Sequence, residues 1–184
     1  MLKFILLGFL NYKPMTGYEL KSMMDDSTMH FWHAYHSQIY TTLRKLEAEG
    51  LLDSVQEDGD DKLNRRTYTI TGAGRDELTA WLDTTLTAQV AVKEDLLVRL
   101  FFSALRDKDA VLTELRLQRQ LHEQKLEYYH NLSADSMNLL GDEAELELVA
   151  PQIPFWTATL RFGVGYEQMY LQWLDDTIQM IEEL

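Results

Sequence analysis

The chain has 184 residues, of which 46% are hydrophobic, no cysteine, and a formal net charge of −13. This length and apolar share suffice for one or two folded domains and exclude a disordered chain. The lack of cysteine excludes disulfides and thiolate chemistry, and it favours a cytoplasmic location. Residues 1–82 carry nine Lys or Arg against twelve Asp or Glu, whereas residues 83–184 carry eight against eighteen. Because most of the acid lies in the second half, the first half can still present a local basic face.

The chain begins with short helices separated by turn signals. The apolar run MLKFILLGFL predicts a buried helix over Leu2–Leu10, since it is too short for a membrane span and lacks the cleavage pattern of a signal peptide. Thr16 followed by Glu19 predicts a capping box at the start of a second helix. A third helix is expected from Ser37, as its cap, to Gly50, a natural C-terminal stop.

The third helix is expected to have two different faces. At about 100° per residue, Ile39, Leu43 and Leu46 fall on one side and form an apolar face. The opposite arc is polar, small and cationic. It contains Ser37, Gln38, Thr41, Arg44, Lys45 and Ala48, with Tyr40 and Glu47 at its border.

After Gly50 the hydrophobic period changes from that of a helix to that of a strand. The stretches LLDSVQE and RRTYTIT flank DGDDKLN, whose Asp-Gly is a turn signal, and together they predict a two-stranded hairpin. GAGRDELTAWLDTTL then predicts a fourth helix. Further helices are expected over residues 93–105, 109–131 and 155–183. The last would be about 40 Å long at 1.5 Å per residue, which suggests packing against a partner chain.

Three helices followed by a hairpin, with a cationic third helix, are the pattern of a winged helix-turn-helix. In that arrangement the third helix lies in the major groove of DNA, and the hairpin, or wing, reaches the neighbouring backbone or minor groove. Periodicity alone leaves a second interpretation open, namely a solvated helix face beside a charged hairpin.

Particular motifs favour the first interpretation. FWHAYHSQIYTTLRKLEAEGLL and the hairpin exit RRTYTITGAGRDELTAWL closely resemble the PadR family of transcriptional regulators, and ILLGFLNYKPMTGYEL is similar to the first two helices of that family. KEDLLVRLFF and LRFGVGYEQMYLQWLDDTIQMIEEL resemble the larger C-terminal helical region of the subfamily that includes virulence-gene activators. The resemblance implies a mainly α fold, with a winged helix-turn-helix DNA-binding domain at residues 1–84. It also implies an α-helical dimerisation and possible effector domain at residues 85–184.

The wing tip departs from the family pattern. It is often basic in relatives, whereas here it reads EDGDDKLN and carries four carboxylates. Carboxylates repel phosphates, so we expect the tip to point away from DNA. We therefore assign wing contacts only to Lys62, Arg65 and Arg66.

We predict a cytoplasmic, homodimeric, sequence-specific DNA-binding transcriptional regulator, acting as an effector-responsive repressor on a pseudo-palindromic operator. No cofactor and no membrane partner are expected. No enzyme activity is expected either, because the sequence has no Walker A loop and no nucleophile elbow. The third helix is expected to contact DNA through Ser37, Gln38, Tyr40, Thr41, Thr42, Arg44 and Lys45.

Three further roles stay open for residues of this chain. A small aromatic effector could be bound by aromatic side chains, although core packing is their usual role. These candidates are Phe31, Trp32, Tyr35, Trp81, Trp156 and Trp173. A metal sensor could use His30, His33 and His36, but on a regular helix the third would be rotated about 240° from the first, and no metal site is predicted. A winged-helix module for protein contacts would explain the acidic surface.

Overall fold

The structure is a computed structural model that describes residues 1–28, 31–57, 65–88, 93–131, 147 and 149–184. It is mainly α-helical with a small three-stranded sheet, which confirms the predicted fold class. The chain forms two compact units. The first holds the described residues of Met1–Thr87 and Met137–Pro151, and the second holds those of Ala88–Ser136 and Gln152–Leu184.

The regular elements of the first unit are α1 (Leu2–Leu10), β1 (Met15–Thr16), α2 (Gly17–Ser27), α3 (His36–Ala48), β2 (Leu52–Glu57), β3 (Arg65–Ile70) and α4 (Gly72–Leu82). Those of the second unit are α5 (Asp95–Phe101), a 3-10 turn (Ser103–Leu105), α6 (Lys108–Asn131) and α7 (Ile153–Glu182). A further 3-10 turn (Ala150–Gln152) lies where the chain passes from the first unit to the second.

The first two helices follow the sequence signals closely. α1 buries Leu6, Leu7 and Leu10, so its apolar run belongs to the core of the first unit. The predicted capping box at the start of α2 is confirmed. Thr16 Oγ1 accepts a hydrogen bond from the Glu19 amide at 3.2 Å, and Glu19 Oε2 accepts one from the Thr16 amide at 2.7 Å. This reciprocal pair satisfies two backbone donors that a helix start leaves open.

α3 starts slightly earlier than the sequence predicts. Tyr35, with extended backbone angles, occupies the N-cap position, and the helix begins at His36. The prediction of Ser37 as the cap is wrong, because Ser37 lies inside the first turn. The predicted stop is confirmed, since Gly50 has a φ of 72°, a conformation that glycine adopts without a side-chain clash.

The antiparallel sheet has the order β1-β3-β2. The predicted hairpin is present, with Leu52 opposite Ile70 and Ser54 opposite Tyr68. The sequence does not predict β1, because two residues are too few to show an alternating pattern. Met15 of β1 pairs with Tyr68, so β3 is bonded on both sides and the hairpin is anchored to the chain ahead of α2.

α4 closes the first unit through two tight contacts. Its cap is Thr71, whose Oγ1 accepts a hydrogen bond from the Gly74 amide at 3.1 Å. A Cβ added to Gly74 would lie 2.3 Å from the Leu51 carbonyl oxygen, so the helix can approach the chain this closely only with glycine there. The ring of Trp81 stacks on Phe4 of α1 with centroids 4.4 Å apart.

The second unit is built on the pairing of α6 with α7. α7 has 30 residues and is about 45 Å long at 1.5 Å per residue. Both helices lie where helical spacing predicts them and start one or two residues earlier. The buried core of this unit is formed by Leu96, Val111, Leu112, Leu115, Tyr170, Leu174 and Ile181. Within the described part of the chain, no helix combines the length and the apolarity that crossing a membrane requires.

One carboxylate lies inside the second unit. Glu167 of α7 is 1% exposed; one of its oxygens contacts Nδ1 of His122, and the other lies 3.4 Å from Nζ of Lys125. The His122 ring also stacks on Tyr170, with centroids 3.9 Å apart. Burial here raises the pKa of Tyr129 to about 12, with a further contribution from the Glu167 charge. Because a buried charge is costly without partners, this cluster fixes how α6 pairs with α7.

Candidate nucleic-acid interface

α3 separates a buried apolar face from an exposed polar one, as its periodicity predicts. Ile39, Leu43 and Leu46 are at most 1% exposed. On the other side, the predicted DNA contacts Ser37, Gln38, Tyr40, Thr41, Arg44 and Lys45 are exposed, and Thr42 is half-buried. A helix exposed along one side in this way can enter the major groove, which is about 12 Å wide.

Gln38 has a structural role in the protein itself. Its Oε1 accepts a hydrogen bond from the Tyr35 amide at 2.9 Å and so caps the first turn of α3. Its backbone carbonyl accepts a second bond from Thr42 Oγ1 at 2.7 Å. The bond from Tyr35 holds the Gln38 side chain at the N-terminal end of the helix, which is the end that contacts bases in helix-turn-helix proteins.

Arg44 and Lys45 are the cations of the exposed face. Among the described residues Arg44 forms no hydrogen bond or ion pair, so its five N–H donors are available to a ligand. The Lys45 side chain is 75% exposed, and its Nζ lies 3.8 Å from a Glu49 oxygen. Such an exposed pair is weak and is easily exchanged for a phosphate.

Arg66, a predicted wing contact, is bound within the first unit. Its Nε donates a hydrogen bond to Ser54 Oγ at 2.6 Å, and its Nη2 donates one to Glu47 Oε1, also at 2.6 Å. Ser54 Oγ in turn donates to the same Glu47 oxygen at 2.6 Å. The three side chains therefore link α3, β2 and β3.

Tyr68 lies beside this network. The guanidinium of Arg66 lies 5.8 Å from the centre of the Tyr68 ring, within reach of a cation–π interaction. Burial raises the pKa of the Tyr68 hydroxyl, while the nearby Arg66 charge opposes that shift. Tyr68 thus stays neutral and serves as an apolar support for the hairpin.

Tyr40 fixes the approach of α3 to α2. A Cβ built on Gly17 would lie 2.5 Å from Cε1 and 2.8 Å from Cζ of the Tyr40 ring. These distances are far shorter than any real contact, so the ring occupies the space that another residue at Gly17 would need. Tyr40 is nevertheless 38% exposed, which leaves part of its edge on the polar face of α3.

Some predicted site residues lie outside the described part of the chain. These are Lys62 at the wing tip and His30 ahead of α3, and the side chain of Arg65 is likewise not described. His33 and His36 are both exposed, and the His33 ring meets Tyr35 edge-on at 4.9 Å between centroids. Within the described ranges, no group of three or more His, Asp or Glu side chains could hold a metal ion.

The six predicted effector residues do not form one cluster within a unit. In the first unit Phe31 and Tyr35 are exposed, Trp32 is half-buried, and Trp81 is stacked on Phe4. In the second unit Trp156 and Trp173 are half-buried and lie on α7. Trp173 meets Tyr170 edge-on with centroids 5.2 Å apart, as a packing residue of the core does. A shallow pocket of about 530 Å³ lies near Trp156 in sequence and is lined by Ile153, Pro154, Thr157, Ala158 and Arg161.

Sequence reasoning misses Glu47 and Ser54 as residues of this region. Helical spacing places Glu47 at the border of the polar face, which does not distinguish a solvated carboxylate from a paired one. Ser54 follows the plain alternation of a strand. The available signal is indirect: Glu47 lies one turn after Arg44, on the side of α3 that a wing must approach.

The architecture described so far defines a class of protein. Helices α1 to α3, a hairpin packed beside them and an exposed polar face on α3 make a winged helix-turn-helix, the arrangement of DNA-binding transcriptional regulators. Residues 6–80 match the family described as "Transcriptional regulator PadR-like family", and residues 92–182 match "Virulence activator alpha C-term". The chain thus carries a PadR-like family domain followed by the C-terminal region of virulence activators, which confirms the resemblance of its motifs. The matched families regulate transcription and are not enzymes.

Individual relatives cover the chain from end to end. It is 26% identical over 182 residues to the negative transcriptional regulator PadR of Bacillus subtilis (strain 168), which is 99% of this chain and 98% of that protein. The crystal structure of B. subtilis PadR with operator DNA matches with a TM-score of 0.78 and 25% identity, covering 98% and 97% of the two chains. The crystal structure of B. subtilis PadR with p-coumaric acid matches with a TM-score of 0.71 and 24% identity, covering 98% of each chain. The structure of the Vibrio cholerae virulence activator AphA matches with a TM-score of 0.74 and 24% identity, covering 100% of this chain and 99% of that one. It therefore has the same fold.

Proposed function

We propose that this regulator is a homodimeric repressor that binds a pseudo-palindromic operator through α3 and responds to a small aromatic effector. The observation that carries the DNA-binding part is the exposed face of α3, on which Arg44 has no partner among the described residues. B. subtilis PadR is named a negative regulator and was crystallised with operator DNA, which supports the same role here.

Each side chain of the face is suited to a particular contact. Arg44 can pair with O6 and N7 of a guanine, and Gln38 can pair with an adenine. Ser37, Tyr40, Thr41, Thr42 and Lys45 supply hydroxyl and ammonium groups for further bases and phosphates, with Lys62 and Arg65 on the wing. Because the protein is acidic overall, its affinity rests on few cations, and it should fall with salt in proportion to the number of phosphates that those cations contact.

The second unit supplies a surface that suits a second copy of the chain. Along α5 and the turn that follows it, Val98, Phe101, Phe102 and Leu105 are 59%, 82%, 59% and 89% exposed. Large apolar side chains grouped in this way are typical of association surfaces. A dimer would place two α3 helices in successive major grooves about 34 Å apart. Sedimentation of the full chain tests this part of the proposal, and a monomer at micromolar concentration would contradict it.

The effector part rests on the relative that was solved with p-coumaric acid. Phe31, Trp32, Tyr35, Trp81, Trp156 and Trp173 are the candidates for stacking on a flat ring. Of these, Trp81, Trp173 and Tyr35 contact the rings of Phe4, Tyr170 and His33. The test is to titrate p-coumaric acid into the protein–operator complex. Release of the duplex supports effector control, and unchanged binding at saturating acid excludes this effector.

Footprinting on an operator selected by the wild-type protein tests the reading role of α3. We expect Arg44→Ala to weaken binding by about 1 to 3 kcal/mol and to relax base preference at the position that Arg44 contacts. Arg161→Ala is the matched control, since it removes the same charge from an exposed site on α7. An unchanged footprint with Arg44→Ala would remove this residue from the interface. A wild-type Kd that ignores salt would instead favour a protein-interaction module.

A further inference from the structure

Three side chains join the recognition helix to the wing in one hydrogen-bonded triangle. Glu47 Oε1 accepts from Arg66 Nη2 and from Ser54 Oγ, and Arg66 Nε donates to Ser54 Oγ, all at 2.6 Å. Each corner belongs to a different element, α3, β2 or β3. The triangle therefore fixes the position of the hairpin relative to α3, which neither element could do by its own backbone bonds.

The triangle lies close to the proposed reading residues. Glu47 is one helical turn after Arg44, and residues three apart on a helix lie on the same side. The Glu47 side chain is 27% exposed, and that of Arg66 is 44% exposed. The pair is thus shielded on the side of α3 but reaches the surface, where a movement of the hairpin would alter what the protein presents to DNA.

The charge of Arg66 is already used inside the protein. A guanidinium held by a carboxylate and a hydroxyl at 2.6 Å would have to give up charge-assisted bonds before it could bind a phosphate. Resting on the proposed reading of DNA by α3, we propose that Glu47 is a positioning residue for operator recognition. Through Arg66 and Ser54 it sets the position of the wing beside α3. Arg66 then holds the wing in place and does not contact a phosphate directly.

The direction in which operator affinity changes when the Glu47 carboxylate is removed tests this proposal. Removing a carboxylate near DNA normally strengthens binding, because repulsion of the phosphates is relieved. If Glu47 merely competed with DNA for Arg66, its loss would also strengthen binding. A positioning role predicts that loss of Glu47 weakens binding to the operator. It also predicts that removing Glu47 and Arg66 together costs no more affinity than removing either one alone.

The experiment compares Glu47→Ala, Arg66→Ala and the double variant in the full-length protein. The probes are a duplex selected from a random library by the wild-type protein and a scrambled duplex of the same composition. Glu49→Ala is the control, since Glu49 directly follows the same helix and pairs with Lys3 and Lys45, and with no hairpin side chain among the described residues. Ser54→Ala is the second variant, because it removes a corner of the triangle without changing any charge. Urea unfolding establishes that each variant is folded under the binding conditions.

We expect Glu47→Ala and Arg66→Ala each to lose about tenfold in affinity for the selected duplex, and the double variant to lose about the same factor. Ser54→Ala should shift in the same direction, Glu49→Ala should bind as well as wild type or better, and binding to the scrambled duplex should not weaken. Tighter binding by Glu47→Ala, or losses that multiply in the double variant, would overturn the proposal. If Arg44→Ala also binds normally, the reading role of α3 fails. If Arg44→Ala is impaired while Glu47→Ala behaves like Glu49→Ala, the positioning role alone fails.

Discussion

The ring of Tyr40 lies against the α-carbon of Gly17, so close that a Cβ at Gly17 would be 2.5 Å from the ring carbon Cε1. The atoms in conflict are at the far end of a side chain that can turn toward solvent. We therefore expect Gly17→Ala to cost about 1 kcal/mol or less in the free energy of unfolding, but to displace Tyr40 on the face of α3 and weaken operator binding. Unfolding curves and gel-shift titrations measure the two effects separately.

A control and a second variant sharpen this test. Gly8→Ala changes a helical glycine with nothing within 4 Å of the added Cβ, and should leave DNA binding unchanged. Added to Tyr40→Ala, Gly17→Ala should cost no further stability, because the ring that the new Cβ would meet is gone. A further loss relative to Tyr40→Ala alone would show that something other than the ring is crowded.

Gln38 combines a helix cap and a proposed base contact in one amide, and a single substitution can separate them. In Gln38→Glu the carboxylate can still accept the Tyr35 amide hydrogen bond, and a negative charge in the first turn suits the helix dipole. Stability should stay the same or rise by about 0.5 kcal/mol. Operator affinity should nevertheless fall about tenfold or more, since a carboxylate lacks the amide donor and repels phosphates. Gln38→Ala, which loses both functions, is the comparison; equal operator binding by wild type and Gln38→Glu would exclude a base contact.

Two glycines of α4 offer a matched pair for stability. A Cβ on Gly74 would meet the Leu51 carbonyl oxygen at 2.3 Å and Cγ1 of Ile70 at 2.8 Å, whereas one on Gly72 meets nothing within 4 Å. Because a backbone carbonyl cannot rotate away, Gly74→Ala should destabilise the protein by about 3 kcal/mol. Gly72→Ala should be neutral or stabilise by about 0.5 kcal/mol, through a lower entropy of the unfolded chain. Urea unfolding at neutral pH measures both changes, and similar midpoints for the two variants would contradict the contact.

Glu114 gives the second unit a pH-dependent contribution to stability. Its hydrogen bond from Arg106, assisted by one from Arg99, holds the pKa of this carboxyl below its ordinary value. The stabilisation is therefore complete above the unfolded-state pKa, about 4.3, and is lost as pH falls through the lower folded-state pKa. We expect Glu114→Gln to cost on the order of 1 kcal/mol at pH 7, and the difference from wild type to shrink in acid. A difference in the free energy of unfolding between Glu114→Gln and wild type that stays constant down to pH 3 would refute the linkage.

Local signals predicted most of the backbone. The apolar run of α1, the capping box of Thr16 and Glu19, and the stop at Gly50 each act within a few residues, so they are legible in the sequence. β1 was not predictable, because Met15 joins the sheet through β3, some fifty residues further along the chain. The register of two elements distant in sequence is what single-sequence patterns do not contain.

For the candidate DNA-binding residues, too, the sequence predicts the exposure of a side chain but not its partners from other elements. Spacing correctly separates the buried and exposed faces of α3, and it puts Arg44 on the exposed one. It treats Arg66 as an available cation, whereas the structure gives it two partners on other elements. Counting charges along a chain cannot show which of them neutralise each other after folding. The DNA contacts of these residues stay predictions until an operator is bound.

Tryptophan fluorescence can follow the two units of the protein separately. Trp81, stacked on Phe4, belongs to the first unit, whereas Trp173, edge-on to Tyr170, belongs to the second. Variants that keep only Trp81 or only Trp173, with the other three of the four tryptophans replaced, would report separately on the melting of each unit through emission and quenching. The same pair of probes would show whether duplex DNA or an added aromatic acid perturbs one unit, the other, or both.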